Sequence, residues 1–305
     1  MTVLSAVVIA AALLAAPKRP FAADPPKKCD DCAKWNAPRA PFRVYGNTYY
    51  VGVAELSAIL ITSDAGHILI DGGLTQSAPL IDANIRKLGF RTEDVKLIVN
   101  SHAHFDHAGG IAALRRASGA MVAASTAGAR AIQSGMPSLD DPQYALGRAF
   151  MSFPPVGSVR PVTDGETLIV ETLTITAHHT PGHTPGSTTW TWKSCEETIC
   201  LNMVYADSVT PVSAPGFRYL DARNGAVPAD AFRNSLHTIA ALPCDVLLAP
   251  HPAFIGIDEK LEKRKRGAAK NPFIDPGACQ AYAATGLASL EKRLQDERAA
   301  VTPKR

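Results

Sequence analysis

Short apolar runs and segments of helical period alternate along this chain, and their order predicts its architecture. Strand-like runs are expected at Phe42–Val53, Leu56–Ser63 and Gly66–Asp71, the last ending at a Gly72-Gly73 turn. Val95–Asn100 and Ala120–Ala124 read as further short buried strands. Apolar residues at helical spacing predict helices over Pro79–Leu88, Gly110–Arg116, Thr126–Gln133, Asp230–Leu242 and Ala278–Asp296. From Thr167 to Tyr205 the pattern turns to long β-rich runs, and Asp245–Ala249 adds a strand. The basic run Lys260–Arg266 reads as a solvated helix face. Strands and helices mixed in this order imply an α/β chain with two βα halves: two sheets packed together, with helices outside. No internal repeat stands out.

One junction carries the chemistry. Between the strand ending at Asn100 and the helix starting at Gly110 lies Ser101-His-Ala-His-Phe-Asp-His-Ala-Gly-Gly110. In an extended segment the side chains at i and i+2 project the same way, so His102 and His104 can grip one ion together. Asp106 and His107, at the turn into the helix, face a different point and can hold a second. Imidazole and carboxylate without thiolate suit zinc in a site that keeps a position open for water. Two ions need more donors than one loop supplies. His183, in Thr180-Pro-Gly-His-Thr-Pro-Gly-Ser187, and His251, in Leu247-Leu-Ala-Pro-His-Pro252, are both loop residues at strand ends, where an α/β scaffold places its site residues. His67 and His237 read as ordinary core or surface residues. For His178 and His179 the same reading competes with a role in orienting a ligand.

Composition narrows the class. The chain has 305 residues, 46% hydrophobic and 19% charged, enough for one large globular domain with a sizeable core. A net charge of +3, without an aromatic-basic patch, argues against nucleic acid as a partner. Leu4–Ala16 is apolar but too short to span a membrane, and small residues follow at Ala22 and Ala23, so 1–23 reads as a secretory signal peptide. No Lys or Arg precedes its apolar stretch, a departure from the usual pattern. Residues 24–41, within the proline-rich stretch Pro17–Pro41, are expected to form an extended surface arm, and 42–305 the main domain. Six cysteines fit an exported chain with disulfides. Cys195 and Cys200 flank a hairpin turn, where a bridge is geometrically easy. Cys29 and Cys32 can close a small ring, and a redox or metal role for them lacks the necessary context.

Taken in order, His-Ala-His-Phe-Asp-His, Pro-Gly-His-Thr-Pro-Gly-Ser and Ala-Pro-His-Pro resemble the metallo-β-lactamase superfamily, most closely the class B β-lactamases of the third subclass, whose ligands include no cysteine. Leu69-Ile-Asp-Gly-Gly73, Gly186-Ser-Thr-Thr-Trp-Thr-Trp192, Tyr205-Ala-Asp-Ser208, Ser213-Ala-Pro-Gly216 and Ala241-Leu-Pro-Cys-Asp-Val246 extend the resemblance from about Trp35 to the C-terminus. It implies the αββα fold and two Zn2+ per chain, the first held by His102, His104 and His183, the second by Asp106, His107 and His251. It implies a monomeric periplasmic or secreted enzyme that confers antibiotic resistance. A hydroxide shared by ions about 3.5–4 Å apart would open the β-lactam ring of penicillins, cephalosporins and carbapenems, with Asp106 as ligand and orienter. Ser208 and Thr210 would hold the substrate carboxylate, with Ser213 or simple loop capping as alternatives. Gln143, in the irregular stretch Ser134–Gly147, either touches substrate or is a solvated loop residue. Trp35 either walls the site or packs on the core. Relatives such as glyoxalase II and acyl-homoserine lactonases bridge both metals with an aspartate from the region of Asp207, and the third subclass does not. The resemblance also joins Cys244 to Cys279.

Overall fold

The structure, a computed structural model, describes residues 21–222 and 228–301. A seven-stranded sheet runs in sequence order: β1 (Phe42–Tyr45), β2 (Thr48–Tyr50), β3 (Ile59–Ile61), β4 (His67–Ile70), β5 (Val95–Val99), β6 (Met121–Ser125) and β7 (Arg160–Val162). Its first four strands are antiparallel and β4 to β7 are parallel. The second sheet, in the order β12-β11-β10-β9-β8, contains β8 (Thr167–Val170), β9 (Leu173–His179), β10 (Thr188–Glu196), β11 (Ile199–Tyr205) and β12 (Val246–Leu248).

Side-chain alternation explains why the central strands read as unbroken apolar runs. Ile59, Ile61, Ile68, Ile70, Leu97 and Val99 join the cluster shared with the second sheet. The residues between them, Leu60, Leu69 and Ile98, face the opposite way, into a cluster with Ile81, Ile85, Ile111 and Leu114 of the outer helices. A strand buried on both faces has no polar side to show. The helices Ala78–Lys87, Ile111–Ser118 and Thr126–Ser134 cover the first sheet, and Pro228–Ala241 and Ala278–Val301 pack together beside the second. Two indoles tie the sheets across the core. Trp190 Nε1 donates to the Asn100 carbonyl (3.0 Å) and Trp192 Nε1 to Thr48 Oγ1 (2.9 Å).

The predicted αββα sandwich is therefore the fold. Several local expectations change. Phe42–Val53 is not one strand, because the chain reverses at Gly46, whose φ of +50° places it in the left-handed region. The arm is not simply extended. It makes a helical turn at Cys32–Trp35, buries Cys32, and is tied at the Lys27 amide to Thr75 Oγ1 and Gln76 Oε1. Nor is Lys260–Arg266 merely a solvated face. Arg264 donates to the Arg43 and Val44 carbonyls and stacks 4.8 Å from the Phe273 ring centre, and Lys260 lies over the same ring. The signal-peptide expectation falls almost wholly on residues 1–20, outside the described residues. Among the described residues, no helix is long and apolar enough to cross a membrane.

Three disulfides form: Cys29–Cys32, Cys195–Cys200 and Cys244–Cys279. The last joins Cys244, two residues before β12, to the start of the C-terminal helix and closes the longest loop of the three, with a separation of 35 residues. In the loop-entropy account, removing it by the double substitution Cys244→Ala and Cys279→Ala costs about 3–4 kcal/mol. Urea unfolding should show that loss as a lowered midpoint, and an unchanged midpoint would show that helix packing alone holds this end.

Candidate metal centre

The site forms where three strand ends meet. Asp71, directly after β4, has φ +61°, a costly conformation for a residue with a side chain. Its buried carboxylate accepts from Asn100 Nδ2 (2.8 Å), the Ser101 amide (2.8 Å), Ser101 Oγ (2.7 Å) and Tyr205 Oη (2.8 Å). These contacts clamp the residues that lead into His102. Beyond Asp71, the Gly72-Gly73 turn lies back to back with Gly109-Gly110. The Gly72 amide donates to the His107 carbonyl and that of Gly110 to Gly73, and a Cβ on Gly110 would strike the Gly72 carbonyl. The two glycine pairs let the metal loop approach the sheet at backbone distance.

Four of the five histidines are oriented through the nitrogen that faces away from the centre; the fifth, His107, has its Nδ1 buried without a partner. His102 Nδ1 lies 2.7 Å from Asp207 Oδ1, His183 Nδ1 is 2.9 Å from the Thr210 carbonyl, and His251 Nδ1 is 3.1 Å from the Glu55 carbonyl. His104 is turned the other way, with Nε2 at 3.1 and 3.2 Å from the two oxygens of Asp141. The remaining nitrogens of His102, His104 and His183 converge, with ring centres 4.7–5.1 Å apart. His102 Nε2 is buried there without a hydrogen-bond partner. In the second group Asp106 Oδ2 lies 3.2 Å from His107 Nε2 and 3.4 Å from His251 Nε2, and those two nitrogens are 3.3 Å apart.

That near-equilateral triangle is informative. A tetrahedron with metal–ligand bonds of about 2.0–2.1 Å has edges of about 3.3–3.4 Å, so these three atoms already have the spacing of zinc ligands. The electrostatics agree with the donor chemistry. Burial, with His107 and His104 close by, pushes His102 well below the usual imidazole range, and burial beside His102 and His104 lowers His183 to about 3. Both rings are neutral and offer lone pairs. Burial works to raise the Asp106 carboxyl, but His107 and His251 overcome it and hold it well below the usual carboxylate range. Burial works to lower His107, but the Asp106 carboxylate beside it raises it above the usual imidazole range, so this ring would release a proton on taking a cation. Neutral His102 and His183 and an ionised carboxylate, without sulfur, fit zinc.

All six residues named from the sequence thus come together: His104, Asp106, His183 and His251 line a cleft of about 390 Å3 with Ser208, Thr210, Gln143 and Trp35, and His102 and His107 pack against them beneath it. A larger hollow of about 520 Å3 beside Tyr282 shares Thr210 and Phe254 with this cleft but contains none of the six. Trp35 stacks on Phe105 and meets the His251 ring edge-on, so it serves as both packing and wall. Ser208 Oγ is buried and unpartnered, whereas the Thr210 hydroxyl lies 3.3 Å from His183 Nδ1. Ser213 is not at the cleft; its hydroxyl accepts from Arg293. His178, bonded to Thr191 on β10, does not orient a ligand, and His179 Nε2 is buried without a partner. The orienting role belongs instead to Asp207 and Asp141 and to the Thr210 and Glu55 carbonyls. Of these, Asp141 and Glu55 had drawn no attention in the sequence. The only signal was a carboxylate pair before a proline in an otherwise irregular loop.

A family model described as the metallo-beta-lactamase superfamily matches residues 52–191. Solved structures match over nearly their full length. The Rm3 metallo-beta-lactamase is 50% identical with a TM-score of 0.85, covering 89% of this chain and 99% of that one. MEM-A1, a subclass B3 metallo-beta-lactamase from a soil metagenome library, is 46% identical with a TM-score of 0.83, covering 87% and 99%. MIM-1 from Novosphingobium pentaromativorans is 42% identical with a TM-score of 0.80, covering 88% and 94%. The chain belongs to the metallo-β-lactamase superfamily, and its full-length neighbours include subclass B3 enzymes. It is a hydrolase whose histidine-rich cleft is built to bind metal.

Asp71→Ala should destabilise the fold by about 3 kcal/mol or more, because four donors lose a charged acceptor in the interior. Urea unfolding of the zinc-loaded protein measures this. A loss below about 1 kcal/mol would mean that the glycine turns, not the carboxylate, hold the loop.

Proposed function

We propose that this chain is an exported β-lactamase that uses two Zn2+ ions to open the cyclic amide of penicillins, cephalosporins and carbapenems, and so confers antibiotic resistance. The observation that carries this reading is the pair of adjoining three-donor groups, His102–His104–His183 and Asp106–His107–His251, with the outward nitrogens of His102, His104, His183 and His251 already spent on protein acceptors. Zinc in these positions would supply a nucleophilic hydroxide at neutral pH and a Lewis acid for the amide carbonyl. The protein's own residues do the rest.

Asp106 is the residue assigned to the reaction itself. It contributes a metal ligand through Oδ2, and its negative charge orients the O–H of the attacking water. Ser208 Oγ, buried and unpartnered, donates to the carboxylate beside the lactam nitrogen. Thr210 assists there once substrate competes for its hydroxyl. Gln143 reaches the substrate from the other lip of the cleft. Trp35, Phe150 and Phe254 form apolar walls that exclude water and receive substrate side chains. No serine or cysteine nucleophile is required, and all six cysteines are already in disulfides. Those bridges suit a periplasmic or secreted protein, with 1–23 as the removed leader, 24–41 as the arm and 42–305 as the catalytic domain. The substrate is a small molecule, and the enzyme is taken to act as a monomer.

The alternative, a lactone or thioester hydrolase of the same superfamily, would call on Asp207 to bridge both metals. Here Asp207 Oδ1 is engaged on the far nitrogen of His102, behind the ring, and this favours the β-lactamase reading.

Ring opening of a penicillin, a cephalosporin and a carbapenem, followed by absorbance, tests the proposal. Turnover should vanish with chelator and return with zinc. Ser208→Ala should raise KM about tenfold or more while kcat changes little, as expected when one hydrogen bond to a charged group is lost. Absence of turnover on all three classes in protein that holds two zinc ions would overturn the reading. Lactones and thioesters, with Asp207→Ala alongside, would be assayed next.

A further inference from the structure

We propose that Asp141 is a positioning residue that couples metal binding at the His102–His104–His183 group to the conformation of the 134–147 loop, which brings Gln143 to the cleft. The inference rests on zinc occupying that group.

Asp141 sits at the junction of two systems. Its side chain is buried, 4% exposed, in a loop whose tip is open to solvent, Leu139 being 76% exposed. Toward the metal group, both carboxylate oxygens lie 3.1–3.2 Å from His104 Nε2. Toward the loop, Oδ1 accepts from the Gln143 amide at 2.8 Å. The backbone of Asp141 continues the tie, its amide donating to the Ser138 carbonyl and its carbonyl accepting from the Tyr144 amide. The next residue, Pro142, accepts from the Ala214 amide, so this turn also bridges to the segment that follows Ser208 and Thr210.

The coupling follows from the chemistry of an imidazole. A neutral ring carries one proton. To donate to Asp141, His104 must carry it on Nε2, which leaves the Nδ1 lone pair for the metal. The converse also holds: a cation on Nδ1 forces the proton onto Nε2 and polarises it toward the carboxylate. Metal binding therefore selects the tautomer that grips Asp141, and Asp141 selects the tautomer that binds metal. Because linkage is reciprocal, whatever the loop contributes to zinc affinity, zinc returns as loop order. Gln143, whose amide shares Oδ1 with His104, is then held more firmly when the site is loaded.

The test uses the full mature chain and two readouts independent of turnover. Zinc affinity is measured by competition with a chromophoric chelator, and amide hydrogen exchange is followed across 137–147 with and without zinc. In the wild type, zinc should slow exchange at Gln143 and Tyr144. Asp141→Ala should weaken zinc binding at one of the two sites by roughly 10–100-fold, the usual cost of losing a ligand's outer partner, and abolish the effect of zinc on the loop. Asp141→Asn separates the two roles. It keeps an oxygen for the Gln143 amide, so the metal-free loop should exchange as in the wild type, while zinc binding still weakens about tenfold. Leu139→Ala, at the exposed tip, should change neither readout. If Asp141 only stapled the loop, Asp141→Asn would bind zinc with wild-type affinity, and that result overturns the proposal. So does wild-type exchange that ignores zinc. Should Asp141→Ala fold poorly, Asp141→Asn decides alone. A wild-type chain that binds no zinc would refute the metal-centre reading itself, a different outcome from equal affinities among the variants.

Discussion

The site depends on a carboxylate placed where water cannot reach it. Burial raises the Asp71 carboxyl, while His107 nearby and the donors from Ser101 and Tyr205 act against that rise. Such a group is tolerable only when its lone pairs are engaged, and here they are engaged by residues of two different sheets: Asn100 and Ser101 after β5, and Tyr205 at the end of β11. The same few atoms therefore close the sandwich and set the start of the metal loop. The indole of Trp190 reinforces the arrangement by reaching across to the Asn100 carbonyl, one residue before the clamp.

A graded electrostatic structure surrounds that anchor. The innermost layer is a set of nitrogen and oxygen donors whose lone pairs converge. Around it is a layer of acceptors, Asp207, Asp141 and two backbone carbonyls, each of which fixes the direction of one ring. Outside lie apolar surfaces from Trp35, Phe105 and Phe254. The order is physically sensible: acceptors set tautomers, tautomers set donors, and low-dielectric walls strengthen every contact within. The arm belongs to this outer layer. The carbonyl of Trp35 accepts the Glu55 amide, and the Glu55 carbonyl in turn orients His251.

The fold was legible wherever burial leaves a periodic mark. Ile59–Ile61, His67–Ile70 and, apart from the exposed Lys96, Val95–Val99 are buried on both faces and announce themselves as apolar runs, and the helices over them keep a clear apolar stripe. The reversal at Gly46 was signalled by the Gly46-Asn47 pair but lost between the β-prone runs Val44-Tyr45 and Thr48-Tyr-Tyr50, and the turn at Cys32–Trp35 was missed because prolines dominate its neighbourhood. The cluster that could hold metal was legible because histidine and aspartate at close spacing have few other uses. Their outer partners were not. Asp141 meets His104 across 37 residues and Asp207 meets His102 across 105, and an isolated aspartate shows nothing of what it will face. Type and local spacing are written along the chain, whereas the approach of distant segments exists only once the sheets have packed.

Each cysteine pairs with its next neighbour in sequence: 29 with 32, 195 with 200, 244 with 279. A chain oxidised from its N-terminus as it emerges therefore meets every correct partner before any later cysteine is exposed. Native bridges can accumulate in order of appearance, without a wrong pair to undo and without the need for an isomerase. In a chain exported as proposed above, the order in which the thiols become oxidisable would itself be the order of the native bridges.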